Sequence, residues 1–73
     1  QDLVCAAFTM LCHSLIESFR KLTADSFIYK IDSGSFYFEC ALPSGQGELL
    51  INSYIAGVQL LAASYPEYIT VQA

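Results

Sequence analysis

The chain has 73 residues, of which 55% are hydrophobic and 14% aromatic, and its formal net charge is -4. This length allows one domain with a small core, and the three basic residues leave no cationic stripe for phosphates, so direct nucleic-acid binding is not expected. A basic protein substrate is compatible with the charge. The hydrophobic content exceeds what so small a core needs, which predicts a partner subunit or a further segment of the chain packed on the domain.

The first predicted element is an amphipathic helix from about Leu3 to Leu22. Its apolar residues recur at spacings of three and four, which is the period of one buried helical face. These residues are Val4, Phe8, Leu11, Leu15, Phe19 and Leu22. Asp2 precedes the helix as its predicted N-cap, and Cys5 therefore lies in the first turn.

Two segments of alternating polarity follow the helix and predict a β-hairpin. The residues of its more apolar face are Phe27, Tyr29, Ile31, Phe36, Phe38 and Cys40. The sequence Asp32-Ser33-Gly34-Ser35 supplies the turn. Next, Pro43-Ser44-Gly45-Gln46-Gly47 predicts a loop, because its glycines lack the companion residues of a phosphate-binding loop. We expect a mobile turn there, at the border of a substrate groove.

A second helix is predicted from about Glu48 to Ser64, ended by Pro66. Its buried stripe consists of Ile51, Tyr54, Ile55, Val58, Leu61 and Ala62. The alternation from Tyr68 to Gln72 predicts a closing strand. Residues 1–73 are therefore predicted to form a single α+β domain, a two-layer sandwich with two helices packed on one face of a small antiparallel sheet.

The cysteines do not have the pattern of a disulfide framework, because their number, three, is odd and their spacing does not repeat. Cys5 and Cys12 lie about 10 Å apart along one helix, too far for a bridge. We predict that Cys12 and Cys40 are core thiols in a reducing cytoplasm. No metal-ligand spacing is present, and no apolar run approaches the ~20 residues of a membrane span, so neither a metal nor membrane contact is expected.

Two interpretations of Cys5 are open on the residues alone. The unpaired amides and partial positive charge of a helix start stabilise a thiolate, which makes Cys5 a candidate nucleophile, while the alternative is a small buried hydrophobe. Thr9 lies one turn later and either contacts sulfur or substrate, or bonds back to the preceding turn. His13 follows Cys5 by about 12 Å of helical rise, beyond the reach of a catalytic hydrogen bond, and is predicted to be a surface or interface residue.

The opening octet Asp2-Leu3-Val4-Cys5-Ala6-Ala7-Phe8-Thr9 resembles the signature of the ribosomal-processing cysteine proteases, which runs Asp-hydrophobic-Val-Cys-Ala-Ala-hydrophobic-Ser. The resemblance continues through the hairpin from Tyr29 to Leu42 and a Tyr-Pro-x-Tyr close at 65–68, so it covers nearly the whole chain. Thr9 stands where the family usually has serine, and the hydroxyl is retained.

This resemblance implies a bacterial thiol protease of the cytoplasm that acts in ribosome biogenesis by removing the N-terminal extension of a large-subunit ribosomal protein. It implies Cys5 as the catalytic residue with Asp2 and Thr9 in support, a homodimer, and no cofactor. The family's catalytic histidine lies in an upstream Gly-His motif that this chain does not contain. Since the chain opens on Gln1 and a helix, we expect an N-terminal strand and loop to be missing. The alternative is a non-catalytic, ribosome-associated interaction protein of the same fold.

Overall fold

A computed structural model describes residues 2–32 and 34–67, without the side chain of Asp2. The elements, in order, are α1 (Asp2–Leu22), β1 (Ile28–Asp32), β2 (Ser35–Glu39) and α2 (Gly45–Ser64). Both helices pack against the two-stranded antiparallel sheet, which confirms the predicted α+β arrangement. The predicted closing strand, Tyr68 to Gln72, lies outside the described residues.

The two strands form the predicted hairpin. They pair antiparallel, from Ile28 opposite Glu39 to Asp32 opposite Ser35. Gly34 in the turn has a φ of 83°, a left-handed conformation that glycine adopts without steric cost. The strand residues that share the face toward the helices are Tyr29, Ile31, Phe36 and Phe38. The predicted alternation is therefore confirmed within the described strands.

The small core is supplied mostly by α1. Its buried members are Val4, Cys12, Leu15, Ile16, Phe19 and Val58. Two residues predicted to be buried are not: Leu22 is 63% exposed and Ile55 is 41% exposed. Leu22 is the last residue of α1 and lines an open cleft, and Ile55 lies about a quarter turn beyond Tyr54, away from the helix seam.

Aromatic rings show how the hairpin lies along α1. The Phe19 and Phe38 rings pack edge to face with centroids 4.9 Å apart. Nearer the turn, the Phe36 ring lies 5.8 Å from the Tyr54 ring, whose hydroxyl group reaches Cys12. Because Cys12 precedes Phe19 by about two helical turns, the hairpin runs along α1 with its turn toward the N-terminal end of that helix.

The start of α2 differs from the prediction. The helix begins at Gly45, three residues before the predicted Glu48, and Ser44 is its N-cap. The Ser44 hydroxyl accepts a hydrogen bond from the Gly47 N–H at 3.1 Å. The Asp25 carboxylate in turn accepts from the backbone N–H and the hydroxyl of Ser44, at 2.9 and 2.8 Å. The prediction of a mobile loop is wrong, because these bonds fix the helix start against the end of α1.

One further expectation needs correction. The segment Leu3–Leu22, with a mean hydropathy of 1.3, is long and apolar enough to cross a membrane by length and composition alone. The core helix of a soluble protein meets the same criterion, and α1 packs against α2 in this fold. The statement that no run approaches membrane-spanning length is therefore wrong, although the finding is weak evidence for a membrane role.

Candidate active site

The predicted nucleophile lies at an accessible helix start. Because α1 begins at Asp2, Cys5 falls within its first turn, where backbone N–H groups have no carbonyl partner inside the helix. Cys5 is an exposed free thiol. Solvent or a substrate can therefore reach this sulfur, which excludes the interpretation of Cys5 as a core residue within the described fold.

The position of Cys5 on the helix is as informative as its exposure. Cys12 follows it by seven residues, about two turns, so the two side chains lie on nearly the same side of α1. Cys12 is 0% exposed and shares a 3.6 Å hydrogen bond with the Tyr54 hydroxyl. Cys5 therefore lies on the inner side of α1, toward which the hairpin turn points, but it is exposed at the edge of the core, next to the buried Val4.

Thr9 lies between Cys5 and Cys12 along α1, on the same side of the helix. It is exposed, one turn after Cys5. In the described part of the chain, no hydrogen bond joins its hydroxyl to the carbonyl of the preceding turn, which is the alternative that the sequence left open. The Thr9 hydroxyl is available to a group bound beside Cys5.

The other residues singled out from the sequence are not brought to Cys5. His13 is exposed on α1, about 12 Å of helical rise away. The backbone of Asp2 is the first residue of the helix, one position later than an N-cap, and its side chain lies outside the description. The supporting role of Asp2 thus stays a prediction.

The remaining thiols contrast with Cys5. Burial raises the pKa of the Cys12 thiol, and the hydrogen bond shared with Tyr54 only partly offsets that rise. Burial also raises the pKa of Tyr54, as does its hydrogen bond to Cys12. Both groups stay protonated at neutral pH, so Cys12 is a core thiol as predicted, while Cys40 is half-buried.

No group of side chains able to hold a metal ion is found among the described residues. An open cleft of about 450 Å³ lies where α1 ends, lined by Lys21, Asp25, Ser44 and Gln46 among others. Lys21 follows Cys5 by 16 residues, or about 24 Å of helix. Gln46 of this segment therefore borders a cleft remote from Cys5, and the expectation that the segment borders a substrate groove stays a prediction.

An exposed cysteine in the first turn of a helix, in a small α+β domain, defines a candidate thiol hydrolase. Residues 1–70 match the family model described as cysteine protease Prp, and the chain belongs to that family. Membership supports a cysteine protease that acts in ribosomal-protein processing, and confirms the resemblance found in the opening octet. No curated protein and no solved structure matches the chain.

Proposed function

We propose that this protein is a cysteine endopeptidase that removes the N-terminal extension of a large-subunit ribosomal protein, with Cys5 as its nucleophile. The proposal rests on the exposure of the free Cys5 thiol. The chain that carries this thiol matches the protease family over residues 1–70. Cys5 is exposed at a helix start, while Cys12 on nearly the same side of α1 is buried. Of these two thiols on α1, only the Cys5 thiol is accessible enough to attack a peptide bond.

In the proposed mechanism, the Cys5 thiolate attacks the scissile carbonyl carbon. The unpaired N–H groups of the first turn are the candidate donors to the oxyanion. Collapse of the tetrahedral intermediate breaks the C–N bond and leaves an acyl-enzyme, and the amine departs with a proton. Water then hydrolyses the thioester and releases the new carboxylate.

The proton acceptor and donor is assigned to a histidine upstream of Gln1, in the Gly-His motif implied by the family resemblance. His13 is unsuited to that role, since about 12 Å of helix separates it from Cys5. Thr9 is assigned to hydrogen bonding with the sulfur or with a substrate group beside it. Asp2 is assigned to fixing the helix start and hence the Cys5 backbone.

The proposed partner is a basic ribosomal protein, in keeping with the formal charge of -4. We further propose a homodimer located in the cytoplasm, without a cofactor. The residues expected upstream of Gln1 would complete the site with a strand and a loop.

The proposal is tested with the Cys5→Ser variant of the full-length protein and a peptide spanning the ribosomal extension. The change keeps the size of the side chain but replaces a thiol with a hydroxyl that stays protonated, so cleavage should fall at least about 100-fold. The matched control is Cys12→Ser, which makes the same change two turns away and should retain most of the cleavage rate per folded molecule.

Equal cleavage by Cys5→Ser and the parent protein would show that the mechanism is wrong. If the parent protein binds the peptide without cutting it, the non-catalytic interaction protein is the better assignment. Circular dichroism of each variant confirms that a change in rate is not a change in folding.

A further inference from the structure

Side-chain hydrogen bonds attach α1 to two other elements of the fold. Near the C-terminal end of α1, the Arg20 guanidinium donates to the Tyr29 hydroxyl of β1 at 3.2 Å. At the middle of α1, the Cys12 thiol and the Tyr54 hydroxyl of α2 share a contact of 3.6 Å. Among the described residues, no side-chain hydrogen bond joins α1 to another element on the N-terminal side of Cys12. The Cys12–Tyr54 bond is therefore the directional contact nearest to Cys5 in the described part of the chain.

Tyr54 joins three elements at one point. It belongs to α2, its hydroxyl reaches Cys12 of α1, and its ring lies 5.8 Å from the Phe36 ring of β2. We call these three residues the three-way joint. The helices are closely packed beside it, because a Leu11 methyl lies 3.1 Å from the position of a Cβ on Gly57. A close-packed interior transmits displacement, so a shift of Tyr54 is felt by α1 and by β2 together.

Cys5 and the hairpin turn both extend from the three-way joint toward the same end of the molecule. Cys5 precedes Cys12 by about 10 Å of helix, on nearly the same side of α1. Gly34 in the turn precedes Phe36 by two residues, or about 7 Å of strand. Val4 is also buried near Cys5, but the apolar contacts of a valine are non-directional. The position of Cys5 relative to the hairpin turn therefore depends on the geometry of the three-way joint.

We propose that Tyr54 is a positioning residue, whose hydroxyl holds α1 at the depth and rotation that aim the Cys5 thiol at a peptide lying beside the hairpin turn. This inference rests on the proposed function of Cys5 as the nucleophile. Attack requires the sulfur within about 3–3.5 Å of the carbonyl carbon, and a misplacement of about 1 Å costs up to about 100-fold in rate. Burial raises the pKa of both Cys12 and Tyr54, so both groups keep their protons and their hydrogen bond at neutral pH.

The test compares two Tyr→Phe variants of the full-length protein in cleavage of a peptide spanning the ribosomal extension. Tyr54→Phe keeps the ring against Phe36 and removes only the hydroxyl that reaches Cys12. We expect kcat per folded molecule to fall at least about 5-fold while KM stays within about 2-fold, because the alignment of the sulfur changes and the contacts that bind the peptide do not. Tyr29→Phe is the matched control. It removes a hydroxyl that bonds to α1 about 22 Å of helix away from Cys5, and its kcat should equal that of the parent.

Two further measurements separate alignment from a loss of stability. Cys12→Ser keeps a group that can share a hydrogen bond with Tyr54 and should retain most of kcat, whereas Cys12→Ala has no such group and should lose as much as Tyr54→Phe does. Iodoacetamide is a small reagent that does not require an aligned peptide. It should alkylate Cys5 in Tyr54→Phe as fast as in the parent, because the thiol itself is unchanged. Circular dichroism gives the folded fraction of each variant.

A loss of kcat confined to Tyr54→Phe and Cys12→Ala, with normal KM and normal alkylation, supports the proposal. Three results overturn it: a parent-like kcat in Tyr54→Phe, equal losses in Tyr54→Phe and Tyr29→Phe, or alkylation slowed in proportion to kcat. Failure of the proposed function has a different signature, namely a parent protein that does not cleave the peptide or a Cys5→Ser variant that still does. Either result would remove the reaction that Tyr54 is proposed to serve.

Discussion

The two ends of α1 differ in nearly every physical property. At the C-terminal end, the Phe19 side chain is 0% exposed and packs edge-on against two rings of the hairpin segment. There Asp25 and Ser44 tie the end of α1 to the start of α2. At the N-terminal end, Cys5 is exposed, and residues 3–16 include no charged side chain.

This difference shows that one helix contributes both to the stability of the fold and to the proposed reaction. The residues that hold the fold are concentrated from Cys12 onward, where α2 and the hairpin cover the helix. The thiol proposed for chemistry lies two turns earlier, where a substrate can approach. Function is placed at the sparsely packed end, while the packed end keeps the helix in position.

The largest effect on stability is expected at the packed end. Phe19→Ala should lower the free energy of unfolding by about 3–5 kcal/mol, because it removes a fully buried ring and leaves a cavity. Leu3→Ala at the open end, where the side chain is 81% exposed, should change it by less than about 0.5 kcal/mol. Urea unfolding of both variants measures the difference, and similar losses would mean that the two ends are packed alike.

A smaller effect is expected at the start of α2. A Cβ on Gly47 would collide with the Asp25 carboxylate and lie 3.2 Å from the Phe19 ring. Gly47→Ala should therefore cost about 1–3 kcal/mol of unfolding free energy. Gly45→Ala, two residues earlier with nothing within 4 Å of the new Cβ, should be neutral or stabilising by up to about 1 kcal/mol. Thermal melts that rank the two variants in the opposite order would contradict this picture of the junction.

The smallest effect concerns pH. Burial raises the pKa of Cys12 above its ordinary value of 9.0, so the unfolded chain loses this proton at a lower pH than the folded chain does. The associated stability is present below pH 9 and is lost as pH rises above it. Between pH 9 and 10 the parent should lose up to about 1 kcal/mol more than Cys12→Ala does, because the unfolded thiol is already half ionised at pH 9. Urea titrations at the two pH values measure the free energy of unfolding of both proteins. Equal losses in the parent and in Cys12→Ala would show that folding does not change the pKa of the thiol.

The sequence predicted the elements better than their ends. Periodicity placed α1 within one residue, because its apolar spacing is regular from Val4 to Phe19. The start of α2 was missed since two glycines masked the capping signal of Ser44, and its partner Asp25 is 19 residues away. Leu22 was assigned to the core because periodicity does not report where the covering elements end.

The candidate site was predicted in part. The octet around Cys5 led to the protease family, which the match over residues 1–70 confirms. The contrast with Cys12 needed the structure, because the 3.6 Å contact with Tyr54 joins residues 42 positions apart. The direction of the hairpin along α1 likewise depends on ring contacts between distant residues, which no local pattern encodes.

The most direct test of the central claim is to label the full-length protein with a peptidyl chloromethyl ketone based on the ribosomal extension. Such a reagent binds as a substrate and alkylates the attacking thiol. We expect mass spectrometry to find one adduct per chain, on Cys5, formed in step with the loss of peptide cleavage. An adduct on Cys12 or Cys40, or loss of cleavage while Cys5 stays unmodified, would contradict the assignment of Cys5 as the nucleophile.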